Sequence, residues 1–309
     1  MILTIVILTL IILLPILSMR LFHKFRSNRR HHHHHRPHLS VIIPFREGDD
    51  LTRDRVFQDT LRYYTTGLPE AEIIVAVDPL NAYPFNKSAA INHGVRKSRG
   101  KILAIVDADC YIDCDTIRQV AREIEEAVDE GRRLWYIPYE RFYRLNKTTT
   151  LEILPDLQSN ATLASLGDPP SDDKLDPSPA NHSTGHYYGA LIQIMPREAF
   201  DCVGGWDVLF SGWGSEDVSM LLSLDTLYGS HKVFDGPVYH LWHHINFGSY
   251  QFTRTWIGQD APERNWRLAA AYKNAAGNYD AMYNLCEDSL LVELARNEHL
   301  DAILETSET

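Results

Sequence analysis

Lys101-Ile-Leu-Ala-Ile-Val-Asp-Ala-Asp109 sets five apolar residues in a row and closes them with two acids. A run this short and this uniformly apolar reads as a buried strand. Two similar runs stand upstream, Leu39-Ser-Val-Ile-Ile-Pro44 and Glu72-Ile-Ile-Val-Ala-Val-Asp78. Between them, Asp54 to Tyr64 places Val56, Phe57, Leu61 and Tyr64 at helical spacing. Asn86 to Ser98 reads as a second helix, stopped by Gly100. Strands alternating with helices predict an α/β fold with a mostly parallel sheet and helices on both faces. Ligands in such sheets bind at the carboxyl ends of the strands. Pro44-Phe45-Arg46, Asp78 and Asp107-Ala-Asp109 all fall there.

Downstream, Thr116 to Glu130 is a predicted helix rich in Glu and Arg, followed by Trp135-Tyr-Ile-Pro-Tyr139. Residues 155 to 186 are dominated by Pro, Asp, Ser and Asn and are expected to form a long loop, functional or disordered. Regular structure resumes at Tyr187-Tyr-Gly-Ala-Leu-Ile-Gln-Ile-Met195. After Ala261, RLAAAYKNAAG and ELARNEHLDAILE predict amphipathic helices in a C-terminal extension spanning 256–309.

The chain of 309 residues is 44% apolar, ample for a packed core. Its net charge of −11 argues against a nucleic-acid partner, which would need a basic face. An acidic protein that takes a phosphate-bearing substrate needs a metal or local arginines to hold it. Cys110, Cys114, Cys202 and Cys286 lack zinc-type spacing and are expected to be reduced thiols. Residues 1–19, MILTIVILTLIILLPILSM, carry no charge and have the length of a membrane span. No basic residue precedes them and no small-residue cleavage site follows. Instead Arg20, Lys24, Arg26, Arg29, Arg30 and Arg36 come after the run. This predicts an uncleaved single-pass transmembrane helix with the remainder in the cytoplasm. Residues 20–38 then form a basic linker, and its His31–His35 run is given no catalytic role.

In an extended segment, positions i and i+2 point the same way, so Asp107 and Asp109 can face one site. Hard cations such as Mn2+ or Mg2+ prefer such oxygens. Taken by itself, D-x-D also suits a solvated turn. Val238-Tyr-His-Leu-Trp-His-His244 offers three histidines in which His240 and His244 can share a helical face, or His240 can end a strand. Phe210-Ser-Gly-Trp-Gly-Ser-Glu-Asp-Val-Ser-Met220 puts Trp213 between two glycines and Glu216-Asp217 at a helix start. Taken by itself, that pair of acids merely complements a helix N-terminus.

Four motifs in order change the weighing. Ser40-Val-Ile-Ile-Pro-Phe-Arg46, Phe85-Asn-Lys-Ser-Ala-Ala-Ile-Asn-His-Gly94, Val106-Asp-Ala-Asp109 and Val203-Gly-Gly-Trp-Asp followed by Gly212-Trp-Gly-Ser-Glu-Asp217 resemble the GT-A-fold glycosyltransferases. The likeness is greatest to the β-1,4-galactosyltransferase group and related bacterial family 2 enzymes. It covers residues 39 to 245, and 39–255 is the expected GT-A domain. It implies a Rossmann-like sheet, a Mn2+ (or Mg2+) cofactor and a UDP-sugar donor. It further implies that Pro44, Phe45, Arg46 and Asp78 hold the uridine and that Phe85, Asn86 and Lys87 lie beside nucleotide and metal. Asp107 is implied on the ribose or sugar side, with a metal role as the alternative. Asp109 and His240 are implied metal ligands, with His243 a substitute. Trp213 is implied against the sugars, Glu216 on sugar hydroxyls and Asp217 as general base. Tyr187 and Tyr188 resemble a substrate-facing pair or core aromatics, and Gly189 is placed on the nucleotide-sugar side.

The physics suits those roles. A carboxylate within reach of an acceptor hydroxyl accepts its proton, and a metal neutralises charge growing on a diphosphate. Retaining polypeptide N-acetylgalactosaminyltransferases resemble this region but carry Asn after the Glu, so Asp217 favours inversion. Departures from the galactosyltransferase pattern are Ser215 in place of Gly and Val218 in place of an acid. The acceptor is expected to be a glycan, a lipid-linked sugar or a protein. Two other functions fit parts of the pattern. A sugar nucleotidyltransferase would show a Gly-rich basic loop after the first strand, which Pro44-Phe-Arg-Glu-Gly48 lacks. A non-catalytic nucleotide-sugar-binding module would have lost Asp109, His240 or Asp217.

Overall fold

A computed structural model describes residues 38–47, 51–82, 85–157, 160–177, 182–184, 191–212, 214–243 and 260–307. The expected anchor at 1–19, the linker as far as residue 37, Tyr187, Tyr188, Gly189, Trp213 and His244 lie outside the described residues. No helix among the described residues is long and apolar enough to cross a membrane. The chain divides into two units, Met1–Arg36 and Pro37–Thr309, and the second contains every element below.

The first half follows the expected alternation. It runs β1 (Leu39–Pro44), α1 (Leu51–Gly67), β2 (Glu72–Ala76), α2 (Lys87–Lys97), β3 (Ile102–Val106), β4 (Cys110–Tyr111) and α3 (Cys114–Asp129). The second half continues with β5 (Tyr136–Ile137), β6 (Arg141–Arg144), α4 (Lys147–Ile153), α5 (Asn160–Leu166), β7 (His182–Thr184) and β8 (Ile192–Pro196). It ends with α6 (Arg197–Cys202), α7 (Glu216–Leu227), β9 (Lys232–Val233), β10 (Pro237–His240), α8 (Asp260–Ala275) and α9 (Tyr279–Ser307).

β1 and β3 are buried along their whole length, as strands covered on both faces must be. α2 packs on β1 and β2, and α3 packs on β3 and β8. The approach of α2 depends on Gly94, where a Cβ would come within 2.7 Å of Ala76 Cβ and 2.9 Å of Ile42 Cγ2. α3 is capped by Asp113, which accepts from the Asp115 N–H, and buries Ile117, Val120, Ala121, Ile124 and Ala127 as one stripe. Burying each Ile or Val of that stripe contributes about 1.5–3 kcal/mol.

The expected mostly parallel sheet is found with one strand, β8, reversed within it, and β5 pairs parallel with β9. The six-stranded sheet has the order β2-β1-β3-β8-β5-β9. β1 runs parallel to β2 and β3, but β8 is antiparallel to both β3 and β5. A parallel neighbour needs a crossover that carries the chain back to the start of the sheet. Here β8 enters beside the carboxyl end of β3, where the Leu191 carbonyl accepts from the Asp107 N–H at 2.8 Å. A second sheet, β4-β10-β6-β7, was not foreseen. Its strands span two to four residues, too few for periodicity to register.

Nor is 155–186 a structureless loop. Besides α5 and β7 it contains a 3-10 turn at Asp172–Lys174, and a further one, Leu154–Asp156, leads into it. Leu157, Leu163 and Leu166 are buried, and Lys174 Nζ donates to the Ser165 and Leu166 carbonyls at 3.0 and 3.2 Å. α8 and α9 pack on α7. All four cysteines are free thiols, as expected.

Candidate active site

α2 begins at Lys87 because Asn86 caps it. Asn86 Oδ1 accepts from the Ala89 N–H at 2.8 Å, and its Nδ2 donates to the Val208 carbonyl at 2.8 Å. One face further along, Asn92 binds both the carbonyl and the N–H of Trp206, at 2.8 and 2.9 Å. The Gly212 N–H donates to the Phe85 carbonyl at 3.2 Å. These bonds fasten the start of α2 to the segment that leads into α7, and so fix where Lys87 points. Its Nζ stands 2.7 Å from Asp107 Oδ1, 2.9 Å from Asp217 Oδ1 and 3.7 Å from Glu216 Oε1, with the Trp206 ring centroid at 5.4 Å.

Glu216 and Asp217 open α7. Ser215 before them is left-handed, at φ +73°, and the Gly214 N–H donates to Glu216 Oε2 at 3.1 Å. Gln193 on β8 donates to the Asp217 backbone carbonyl at 3.3 Å. One ammonium is therefore shared among three carboxylates. Burial pushes Asp217 up to about 8, with Lys87 opposing the shift, and burial raises Asp107 as well. Burial would lower Lys87, but the three acids outweigh it and hold the ammonium well above its ordinary value.

Asp109, two residues beyond Asp107, meets different company. Antiparallel pairing of β10 with β4 sets His240 opposite Cys110, and the Leu241 N–H donates to the Asp109 carbonyl at 2.8 Å. His240 Nε2 lies 3.5 Å from Asp109 Oδ1 and His243 Nε2 lies 3.1 Å from Oδ2. Burial would raise Asp109, but the two imidazoles hold it well below the usual carboxylate range. Burial also drives His240 down to about 4, so its ring is neutral at neutral pH, as a ligand must be. Its Nδ1 is buried with no hydrogen-bond partner among the described residues. Cys110 Sγ donates to Asp109 Oδ1 at 3.4 Å, and burial keeps that thiol protonated. A carboxylate with two imidazoles fits Mn2+ better than Mg2+, which favours oxygen alone.

The remaining residues divide. Pro44 ends β1 in register with Ala76. Phe45 is buried and stacks on Phe57, ring centroids 3.7 Å apart, as part of the core wall. Arg46 Nη1 donates to the Ala82 carbonyl at 3.3 Å. Asp78 is buried, accepts from the N–H groups of Leu80 and Ala82, and receives Arg296 from α9. The structure thus gathers Lys87, Asp107, Glu216 and Asp217 into one group and Asp109, His240 and His243 into another. Sequence reasoning missed Gln193, Arg296 and Tyr139, a fully buried phenol whose pKa burial and the nearby Cys110, Asp217 and Asp107 raise. Each lies far along the chain from what it touches, and no local signal marks it.

Residues 80–168 match the family model described as glycosyl transferase family 2. The match bears out the glycosyltransferase resemblance. It takes in α2, β3 and the D-A-D acids, hence Lys87, Asp107 and Asp109 of the two groups. No curated protein sequence matches the chain. Among solved structures, the chain is similar to the catalytic domain of Drosophila β1,4-galactosyltransferase 7 in complex with xylobiose. Identity is 15% and the TM-score 0.34, over 64% of this chain and 63% of that one. The chain therefore spans under two thirds of that relative. It is also similar to the mannosyltransferase PcManGT from Pyrobaculum calidifontis in complex with GDP-Man and Mn2+. There identity is 12% and the TM-score 0.41, over 94% and 86% of the two chains.

Proposed function

We propose that the chain is an inverting, divalent-metal-dependent glycosyltransferase that moves a galactose- or N-acetylhexosamine-type sugar from a UDP-sugar to an acceptor hydroxyl. The observation that carries the proposal is the Lys87 group, in which a base-strength carboxyl, Asp217, stands 2.9 Å from the ammonium that also holds Asp107. Asp217 accepts the proton of the acceptor hydroxyl as its oxygen bonds to the anomeric carbon. The bond from that carbon to the diphosphate breaks, and its electron pair leaves with UDP. A raised carboxyl is the stronger base, and a pKa near the working pH suits general-base catalysis. Glu216, held through Oε2 by the Gly214 N–H, offers Oε1 to a sugar hydroxyl. Lys87 keeps the base charged and aimed. Asp109, His240 and His243 would hold Mn2+, which when bound would neutralise charge on a departing diphosphate.

Residues 39–255 serve as the catalytic domain and 256–309 as a helical extension. The apolar 1–19 segment anchors the chain in a membrane as a single pass, with the catalytic domain in the cytoplasm. The acceptor is a glycan, a lipid-linked sugar or a protein. A panel of UDP-, GDP- and dTDP-sugars with Mn2+, read as donor hydrolysis, tests the donor assignment. UDP-sugars are expected to turn over fastest, and a GDP-sugar preference would overturn the uridine role of Asp78.

A further inference from the structure

Residues 206–212 lie in the connection from α6 to α7, and they are held from two sides. On one side, Asn92 binds both backbone groups of Trp206, Asn86 donates to the Val208 carbonyl, and the Phe85 carbonyl accepts from the Gly212 N–H. On the other side, α8 takes the residues in between. The Tyr272 hydroxyl donates to Asp207 Oδ2 at 3.0 Å, and Arg264 donates to the Leu209 carbonyl. Asn265 meets Ser211 with both ends of its amide. Its Oδ1 accepts from the Ser211 N–H at 3.4 Å, and its Nδ2 donates to the Ser211 carbonyl at 3.1 Å. Asn265 is only 3% exposed, and a buried amide needs partners; Ser211 gives one to each end. Trp206, Val208 and Gly212 are thus tied to the start of α2, and Asp207, Leu209 and Ser211 to α8. The C-terminal helices also pack on α7 itself, where Ser223 Oγ donates to Met282 Sδ of α9 at 3.4 Å.

We propose that Asn265 is a positioning residue, through which α8 sets Glu216 and Asp217 at their distances from the Lys87 ammonium. α2 carries the ammonium and grips one side of residues 206–212. α8 grips the other side, and Ser211 stands five residues before Glu216. The spacing of base and ammonium is therefore fixed between two helices, one of which belongs to the C-terminal extension. Asn265 acts without touching a substrate, so its loss should register in turnover and not in nucleotide binding. A misplacement of about 1 Å at a reacting group can cost roughly 100-fold in rate. The inference rests on the proposed role of Asp217 as the base.

The test compares Asn265→Leu with Ala269→Gly in the full chain with Mn2+. Leucine nearly keeps the size of the side chain and removes both bonds to Ser211. Ala269 is buried one turn further along α8, where glycine weakens the helix but removes no bond to residues 206–212. Three quantities are read: Tm, UDP affinity by calorimetry, and kcat for hydrolysis of UDP-galactose and UDP-N-acetylglucosamine, in which water replaces the acceptor hydroxyl. Asn265→Leu is expected to lose roughly ten- to 100-fold in kcat and to keep UDP affinity within about twofold. Ala269→Gly should lower Tm by about 2–4 °C and keep kcat within about twofold. Asn265→Asp retains the bond from the Ser211 N–H but sets a carboxylate against the Ser211 carbonyl, so the same loss of kcat is expected if the leucine variant does not fold. Unchanged kcat in the folded Asn265 variants would overturn the inference, as would equal losses in Asn265→Leu and Ala269→Gly, which mark a structural role alone. Equal losses of kcat and UDP affinity also overturn it, because the tie would then serve the nucleotide. Wild type that hydrolyses neither sugar nucleotide defeats the proposed function, and the inference falls with it.

Discussion

Asp107 and Asp109 are two residues apart after β3, yet Asp107 faces the Lys87 ammonium at 2.7 Å while Asp109 faces His240 and His243 at 3.5 and 3.1 Å. Asp109 is buried and Asp107 half-buried, and burial alone raises a carboxyl. What separates them is how many partners each must share. Lys87 divides its charge among three acids, so burial prevails and Asp107 and Asp217 are raised. Asp109 faces two imidazoles, and they lower it. The first group therefore holds raised carboxyls, and the second a lowered one. The same short stretch of chain feeds both.

Removing the shared cation should break the comparison most. Lys87→Met leaves buried carboxylates uncompensated, and the expected loss is about 3–5 kcal/mol of stability, read by denaturant unfolding. The carboxyls then keep native pKa values above their unfolded ones. Their contribution to stability is full at low pH and is lost as pH rises, so the variant should be less impaired near about pH 5 than near about pH 8. Equal losses at both pH values would show that Lys87 acts through packing alone.

Metal titration of the two acids sharpens the comparison next. Asp109→Asn should weaken Mn2+ binding by more than about 100-fold, beyond what the loss of an outer-shell partner causes. Asp107→Asn should cost less than about tenfold, the lower end of that outer-shell range. Electron paramagnetic resonance of free Mn2+ reads both, and equal losses would return Asp107 to the metal. The smallest effect is expected at Ser215, whose φ of +73° strains the turn before Glu216. Ser215→Gly relieves roughly 1–2 kcal/mol of left-handed strain. The greater freedom of glycine in the unfolded chain takes back about 0.5–1 kcal/mol. A small rise in Tm is therefore expected, and a fall would mean that the Ser215 side chain has a role of its own.

The buried strands β1 and β3 were legible because short runs this apolar have few alternatives, and the acids after β3 marked the carboxyl end of the sheet. Asn86 was legible as a helix start and Gly94 as a residue within that helix, but not what they hold. Lys87 meets Asp217 across 130 positions, and Arg296 meets Asp78 across 218. Pairings of that range leave no periodic trace in a single sequence. Phe45 illustrates the opposite limit. An aromatic at a strand end suits a base platform or a core wall equally, and only packing on Phe57 places its ring in the core. The four-stranded sheet escaped because its strands are shorter than one repeat of any pattern, although the resemblance had already joined His240 to Asp109.

The pH profile of kcat/KM for sugar transfer with Mn2+, in wild type and Asp217→Asn, tests the central claim most directly. Burial holds Asp217 at about 8, and a base must be deprotonated to act, so wild-type kcat/KM should fall as pH drops below that value. The variant should be slower by about 10²–10⁴-fold, lack that limb and still bind UDP. A variant with full turnover and the same pH limb would contradict the account.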